Sequence, residues 1–166
     1  HLTNNSTGSR ILSNNVVAYN TFNGIYANTT PNPVIINNVA YGNGGGEFGG
    51  GILSASTGMV SGNISFGNTG SGLTTGWQSG STVFMNNISF RNTFQGLASQ
   101  SANNVLFFNN TAVGNAVNGV YIYSSSNNNN VLRNNIMAYN TSKGFNELGT
   151  GTVNTHNDYY LNGTAQ

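Results

Sequence analysis

The sequence contains no cysteine, only two prolines and very few charged residues. Without cysteine the chain has no disulfide, no thiolate nucleophile and no cysteine-based metal site. Four basic and three acidic side chains give a net charge of +1. Nucleic-acid binding and polybasic binding to membrane surfaces both need clustered Lys and Arg, so we predict neither nucleic acid nor a membrane as a partner.

Long hydrophobic runs are also missing. No stretch of about 18 apolar residues is present, so we predict no membrane-spanning helix. The sequence starts at His1 without the basic and apolar segments of a signal peptide. We therefore expect a mature form or a fragment, and the length of 166 residues suits one domain.

Polar and small residues dominate what is present. The chain has 33 Asn, 23 Gly, 17 Ser and 17 Thr. Disordered segments share this bias, but they are poor in aromatic and β-branched residues. Here 11% of the residues are aromatic, and Val and Ile recur regularly. We therefore predict a folded chain.

A repeat of 22–25 residues runs through the sequence. Most copies open with two asparagines, and a closing asparagine follows five residues after the second one. A glycine and an apolar residue come next. The second copy has four extra residues within 44–50. The second and the closing asparagines are Asn15, Asn38, Asn63, Asn87, Asn110, Asn135 and Asn157, and Asn20, Asn43, Asn68, Asn92, Asn115, Asn140 and Asn162.

The apolar positions of the unit predict strands and not helices. Three residues before the second asparagine stand Leu12 and its equivalents, and one and three residues after it stand Val16, Ala18 and theirs. Helical spacing is not sustained anywhere. One coil cannot bury an apolar face alone, whereas stacked coils can. We predict an all-β parallel solenoid of about seven coils, forming one domain over residues 1–166 that is part of a longer chain.

Asparagine is frequent because its amide suits a stacked architecture. It can donate to the next coil and accept from the previous one, which forms a ladder. It also tolerates the left-handed backbone of sharp corners. We interpret both asparagine columns as structural ladders at turns.

The repeat resembles the right-handed parallel β-helix repeat of the pectate-lyase-like superfamily. The motif N-N-[VIT]-x-[YFVA]-x-N-x-x-x-G-[ILVF] carries the resemblance over residues 11–162. Residues 86–97, 134–145 and 155–160 look most like the later coils of family 9 polysaccharide lyases. That resemblance implies an extracellular protein that acts on a uronate, with a lysine base and calcium held by aspartates.

The residues of this chain match only part of that implied site. Lys143 is the only lysine and therefore the only candidate base; its alternative is an exposed turn residue paired with Glu147. Asp158 is the only aspartate, and the glutamates lie in other repeats. Calcium prefers several carboxylates, so it enters as a cofactor only through the resemblance, and we predict no metal site here.

Several other residues are candidates for binding a glycan. Arg91 and Arg133 suit carboxylate recognition or are solvated surface cations. Glu47 and Phe48, in the four-residue insertion, border a binding face or belong to a tolerated turn. Trp77, Tyr121 and Tyr123 offer rings for sugar stacking, or they pack against neighbours.

These observations lead to two hypotheses. The leading one is an extracellular or cell-surface β-helix that binds or acts on a polysaccharide, by β-elimination if it is an enzyme. The alternative is a structural protein whose coils stack end to end on other subunits into a filament. The sequons at Asn4, Asn5 and Asn28 are the predicted N-glycan acceptors, since the ladder asparagines are expected to be buried.

Overall fold

A computed structural model describes residues 2–4, 10–28, 32–76, 81–124 and 128–164 of the chain. Each repeat contributes three short strands, and every strand pairs in parallel with the equivalent strand of the next coil. The result is three seven-stranded sheets that run the length of the molecule, which confirms the predicted parallel solenoid. Six turns separate the first and last strand of each sheet, close to the predicted seven coils.

Sheet A contains β1 (Leu2–Asn4), β4 (Ile25–Asn28), β7 (Gly50–Ala55), β10 (Ser71–Gly76), β13 (Leu97–Gln100), β16 (Val120–Ile122) and β19 (Phe145–Glu147). Sheet B contains β2 (Ile11–Ser13), β5 (Val34–Ile36), β8 (Gly58–Ser61), β11 (Thr82–Met85), β14 (Leu106–Phe108), β17 (Val131–Arg133) and β20 (Val153–Thr155). Sheet C contains β3 (Val16–Ala18), β6 (Val39–Tyr41), β9 (Ile64–Phe66), β12 (Ile88–Phe90), β15 (Thr111–Val113), β18 (Ile136–Ala138) and β21 (Asp158–Tyr160).

The described residues form no helix, and therefore none that could cross a membrane.

The two asparagine ladders are confirmed. In both columns the side-chain Nδ2 donates to the Oδ1 of the next coil over 2.8–3.1 Å. Each Oδ1 also accepts from the backbone N–H of the previous ladder residue, as Asn87 does from Asn63 over 2.9 Å. The ladder asparagines from Asn38 to Asn140 are almost fully buried. Their hydrogen bonds to one another therefore take the place of hydrogen bonds to water.

The left-handed corners lie one residue before each ladder asparagine and not at the ladder itself. Asn14 and Asn86 precede the first ladder with φ of 57° and 56°, and Tyr19 and Arg91 precede the second with φ of 56° and 53°. The ladders lie at turns, as predicted, but the left-handed residue of each turn is the one before the ladder asparagine. The ladder side chain must point inward, so the preceding residue takes the strained turn.

The core lies inside the three sheets. The column of Leu12 equivalents supplies Ile35, Val60, Phe84, Phe107 and Leu132, all fully buried. The rings of Phe84 and Phe107 stack with centroids 5.2 Å apart. Dispersion contacts between identical positions of successive coils therefore reinforce the hydrogen-bonded ladders.

The other two apolar columns face outward. They begin at Val16 and Ala18, and they cover the outer face of sheet C instead of filling the core. Val16 is 70% exposed and Ile88 43% exposed. Residues between them in the strands, such as Val17 and Met137, point inward and are buried. Strand alternation explains this, because residues one and three positions after the ladder share a face opposite to the residue between them.

Candidate functional site

One outward-facing column of sheet A is buried in β7, β10, β13 and β16, although it faces away from the core. Leu73 of β10 points into the core, so its neighbour Thr74 points outward, and the paired residues of adjacent strands do the same. This outward column is only 0–9% exposed and does not belong to the core cluster. Its members are Leu53, Thr74, Ala98 and Tyr121.

The insertion loop, residues 44–50, lies across this face. The Ser71 hydroxyl donates to the backbone carbonyl of Glu47. The side-chain amide of Gln95 donates to Glu47 Oε1 over 3.3 Å. The Phe48 ring contacts the Tyr123 ring with centroids 4.5 Å apart. The loop therefore leaves its own coil and runs along the solenoid axis over the next three coils.

Tyr121 of β16 and Tyr123, the residue directly after that strand, complete this cluster. The rings of Tyr121 and Tyr123 meet edge to face with centroids 5.6 Å apart. Burial raises the pKa of the Tyr121 phenol, and the nearby Glu47 carboxylate and Tyr123 raise it further. Four of the predicted glycan-binding residues thus lie together, although about 75 positions of sequence separate the loop from the tyrosines: Glu47, Phe48, Tyr121 and Tyr123.

A third ladder supports the loop. It consists of the residues directly before the glycine that follows the closing asparagine in each repeat. Their side-chain oxygens accept hydrogen bonds from backbone N–H groups of the next coil. Ser71 Oγ accepts from Gln95 N over 3.2 Å, Gln95 Oε1 from Asn118 N over 3.0 Å, and Asn118 Oδ1 from Lys143 N over 3.2 Å. The backbone N–H and the side-chain oxygen of Gln95 are therefore both hydrogen-bonded within this ladder. Its side-chain Nε2 donates to the Glu47 carboxylate.

Steric contacts explain why position 72, directly after Ser71 of this ladder, is a glycine. A Cβ at Gly72 would overlap the Ser89 hydroxyl, which donates to the carbonyl of Gly96 over 2.7 Å. Only glycine permits this close approach of sheets A and C. Sheets A and C therefore meet closely at Gly72, directly after Ser71 of the third ladder.

A cleft of about 330 Å³ opens beside the loop. It combines aromatic rings, one carboxylate, amide groups and backbone. Its walls are Phe22, Asn23, Gly45, Gly46, Glu47, Phe48, Gly49 and Gln100. This volume is at the lower end of the roughly 300–1,000 Å³ range of small-molecule sites.

Among the described residues, two buried side-chain oxygens on this face have no hydrogen-bond partner. One is Oε1 of Gln100, whose position in β13 is equivalent to that of Tyr123 in the next coil, and the other is Oγ1 of Thr74, in the buried outward column. A buried polar group without a partner costs free energy, and native proteins keep few of them. Both atoms belong to the outer face of sheet A.

The remaining predicted residues lie elsewhere or at the margin. Arg91 is exposed and lines a groove of about 520 Å³ on the outer face of sheet C. Arg133 is exposed on sheet B. Lys143 ends the third ladder, and its Nζ donates over 3.3 Å to Asn146, the partner of Tyr121 in the adjacent strand. Trp77 lies outside the described residues.

The predicted N-glycan acceptors are only partly described. Asn28 is half-buried at the end of β4, and Asn4 belongs to β1, whose side chains are not described. Asn5 lies outside the described residues. The sequons at ladder residues Asn63 and Asn87 are buried, as expected.

The acidic residues do not fit a calcium site. Glu47 lies over sheet A, Glu147 accepts a hydrogen bond from Thr152, and Asp158 is on sheet C. Among the described residues, no three His, Cys, Asp or Glu side chains come together. Since calcium prefers several carboxylates, the donor set does not match the calcium that the lyase resemblance implies.

Ser71, Gln95, Gln100 and Thr74 are not among the residues predicted from the sequence. The first two could have been found, because they stand directly before the glycines of the repeat, in line with Asn118 and Lys143. Gln100 and Thr74 carry no such signal. Their importance depends on the path of the loop over the sheet.

Comparisons with known proteins agree with this architecture. Residues 2–160 match the family described as "Right handed beta helix region". No curated protein matches the chain. The mannuronan C-5 epimerase AlgE4 A-module of Azotobacter vinelandii has a similar structure, with a TM-score of 0.63, 16% identity, and coverage of 93% of this chain and 54% of that one.

A double mutant of the periplasmic alginate epimerase AlgG is similar as well. The TM-score is 0.63 at 19% identity, over 75% of this chain and 29% of that one. Both likenesses concern the fold, given the low identity. The chain spans about a third to a half of the length of these neighbours.

Proposed function

The chain belongs to the right-handed β-helix family, and from this premise we propose that it binds a polysaccharide along the outer face of sheet A. The observation that carries the proposal is the convergence of Glu47, Phe48, Tyr121 and Tyr123 on that face. Solenoids present long, regular surfaces, and within the described residues the loop interrupts that regularity on this face. A polymer can lie along the coils and place one unit in the cleft.

The chemistry of the face supports a sugar ligand. Phe48 is half-buried and Tyr123 is 39% exposed, so part of each ring remains accessible for the apolar side of a sugar ring. Glu47, Gln100 and Asn23 place hydrogen-bonding groups beside these rings. Apolar walls with a few oriented polar groups are typical of small-molecule and glycan sites.

The structural neighbours support the same substrate class. Their names describe them as epimerases of alginate and mannuronan, which are polysaccharides. One of them is described as periplasmic. We accordingly propose a location outside the cytoplasm, extracellular or at the cell surface.

Affinity electrophoresis in polysaccharide-containing gels tests the proposal. The protein should be retarded by at least one polymer from a panel of pectate, alginate, xylan and galactan. Phe48→Ala and Tyr123→Ala should each weaken that retardation about tenfold, since each removes a stacking surface. Tyr160→Ala is the matched control, because this exposed tyrosine lies on sheet C. Unchanged binding by both cluster variants would contradict the proposed face.

A catalytic form of this proposal is β-elimination on a uronate. A base takes the proton from the carbon beside the carboxylate, and its electron pair forms a carbon–carbon double bond as the glycosidic C–O bond at the next carbon breaks. The departing oxygen keeps the electrons of that bond and takes up a proton from water. Lys143 is our candidate base, because it lies beside Asn146 at one end of the same face. Ultraviolet absorbance of the new double bond should rise with pectate or alginate and be lost in Lys143→Ala. The control variant is Arg133→Ala on sheet B.

The alternative function, a filament of stacked coils, rests on the open edge of the sheets. The described strands β19, β20 and β21 are each paired on one side. Their outer backbone groups can therefore pair with another coil, from this chain or from a second copy. Sedimentation velocity across a range of concentrations separates the two readings: growing particles support a filament, and a constant particle that still binds polysaccharide supports the first proposal.

A further inference from the structure

We propose that the cleft beside the insertion loop is a subsite for an uncharged, hydroxyl-rich sugar unit and disfavours a uronate there, so that a uronate unit cleaved beside Lys143 lies outside the cleft. This inference rests on the proposed function and adds the substrate class. It concerns the groups that the cleft offers to a ligand. These are the Gln100 and Asn23 amides, the Glu47 carboxylate, and the rings of Phe22 and Phe48.

The cleft holds two acceptors to which a sugar hydroxyl can donate. Gln100 Oε1 is buried and accepts no hydrogen bond from any residue that the structure describes. Glu47 is an acceptor as a carboxylate, and Gln95 supplies one donor to its Oε1. A sugar hydroxyl donates to either group without adding a charge. A carboxylate of a uronate can donate to neither at neutral pH.

The charge of the cleft points the same way. None of the described residues that line it is basic, and Glu47 is its one charged side chain. Lys143 is engaged with Asn146, outside the lining, while Arg91 and Arg133 lie on other sheets. A uronate in the cleft would face Glu47 without a counter-ion, and juxtaposed like charges disfavour binding.

The unpartnered Gln100 has a functional explanation on this account. A buried acceptor without a donor destabilises the free protein. It becomes satisfied when a hydroxyl enters the cleft beside Phe48. If Gln100 were merely structural, an apolar residue of similar size would serve the fold equally well or better.

Two variants test these points. Gln100→Met keeps the side-chain volume and removes the acceptor, so we expect unchanged or higher thermal stability and about tenfold weaker binding of a neutral polymer. Glu47→Gln removes the charge, so we expect about fivefold stronger relative binding of an acidic polymer. Arg133→Gln on sheet B is the control and should change neither quantity.

The matched probes are polygalacturonate and its methyl ester, which differ in carboxylate charge, together with neutral galactan. Binding to the whole chain is measured by affinity electrophoresis at fixed ionic strength. Preference for the methyl ester or galactan, reduced in Glu47→Gln, supports the inference. Preference for polygalacturonate that Glu47→Gln leaves unchanged overturns the inference and leaves the proposed function standing. Absence of binding to any of these polymers and to the wider panel overturns both.

Discussion

At the residue scale, the ladder asparagines and the residues before them have different tasks. Asn87 is 1% exposed, donates to Val60 and Asn110, and accepts from Asn63. Its neighbour Asn86 supplies a left-handed corner with φ of 56°. One position therefore depends on the amide group, and the other on tolerance of positive φ.

Substitution separates these two tasks. Asn87→Ala should lower the free energy of unfolding by about 3–5 kcal/mol, because buried partners in both adjacent coils lose their hydrogen bonds. Asn86→Ala should cost only about 1 kcal/mol, from the left-handed backbone. Urea denaturation followed by circular dichroism measures both. Equal effects would show that the ladder adds nothing beyond the corner.

Tyr121 gives a second prediction at this scale. Burial raises the pKa of its phenol in the folded state above the ordinary value of 10.0. The contribution to stability is therefore complete below about pH 10 and is lost as the pH rises through the folded-state pKa. Urea midpoints between about pH 8 and pH 11 should fall less steeply for Tyr121→Phe than for the parent chain. An identical slope would contradict the burial of Tyr121 under the loop.

At the element scale, each strand has an inward and an outward face with different packing. Phe107 of β14 is fully buried and stacks on Phe84, whereas its neighbour Phe108 is half-buried on the outside. The sequence presents both as phenylalanines in one apolar run.

Phe107→Ala should destabilise the fold by about 3–5 kcal/mol through the cavity left between adjacent coils. Phe108→Ala should cost about 1 kcal/mol or less, since its ring is partly solvated. Thermal denaturation of the two variants checks the assignment of faces. A larger loss for Phe108→Ala would mean that the register of sheet B is shifted by one residue.

The repeat allowed much of this to be predicted. The ladders and the Leu12 column follow from spacing, because equivalent residues of a parallel solenoid stack on one another. The inward or outward direction of the Val16 and Ala18 columns does not follow from apolar character alone. Both columns are apolar and yet lie outside, on sheet C, where Val16 and Ile88 remain exposed.

At the scale of the whole molecule, the insertion loop turns one of three similar faces into a candidate site. The loop contacts Ser71, Gln95 and Tyr123, which belong to three successive coils. No local pattern in the sequence predicts that path, because the contact between Phe48 and Tyr123 joins residues 75 positions apart. The sequence indicated the individual residues but not that they meet.

Deletion of residues 45–48 tests the role of the loop in the whole molecule. It restores the regular four-residue spacing after Asn43, so the sheets and their circular dichroism spectrum should be retained. Polysaccharide affinity should fall at least about tenfold, because the cleft loses half of its lining residues, Glu47 and Phe48 among them. Retained affinity would place the binding surface on another face.

Hydrogen exchange measured by mass spectrometry tests the central claim most directly. The whole chain is compared with and without the polysaccharide that binds it best. We predict added protection in residues 44–50, β10, β13 and β16, and unchanged exchange in β12 and β15 of sheet C. Protection confined to sheet C or sheet B, with residues 44–50 unchanged, would contradict the assignment of sheet A as the binding face.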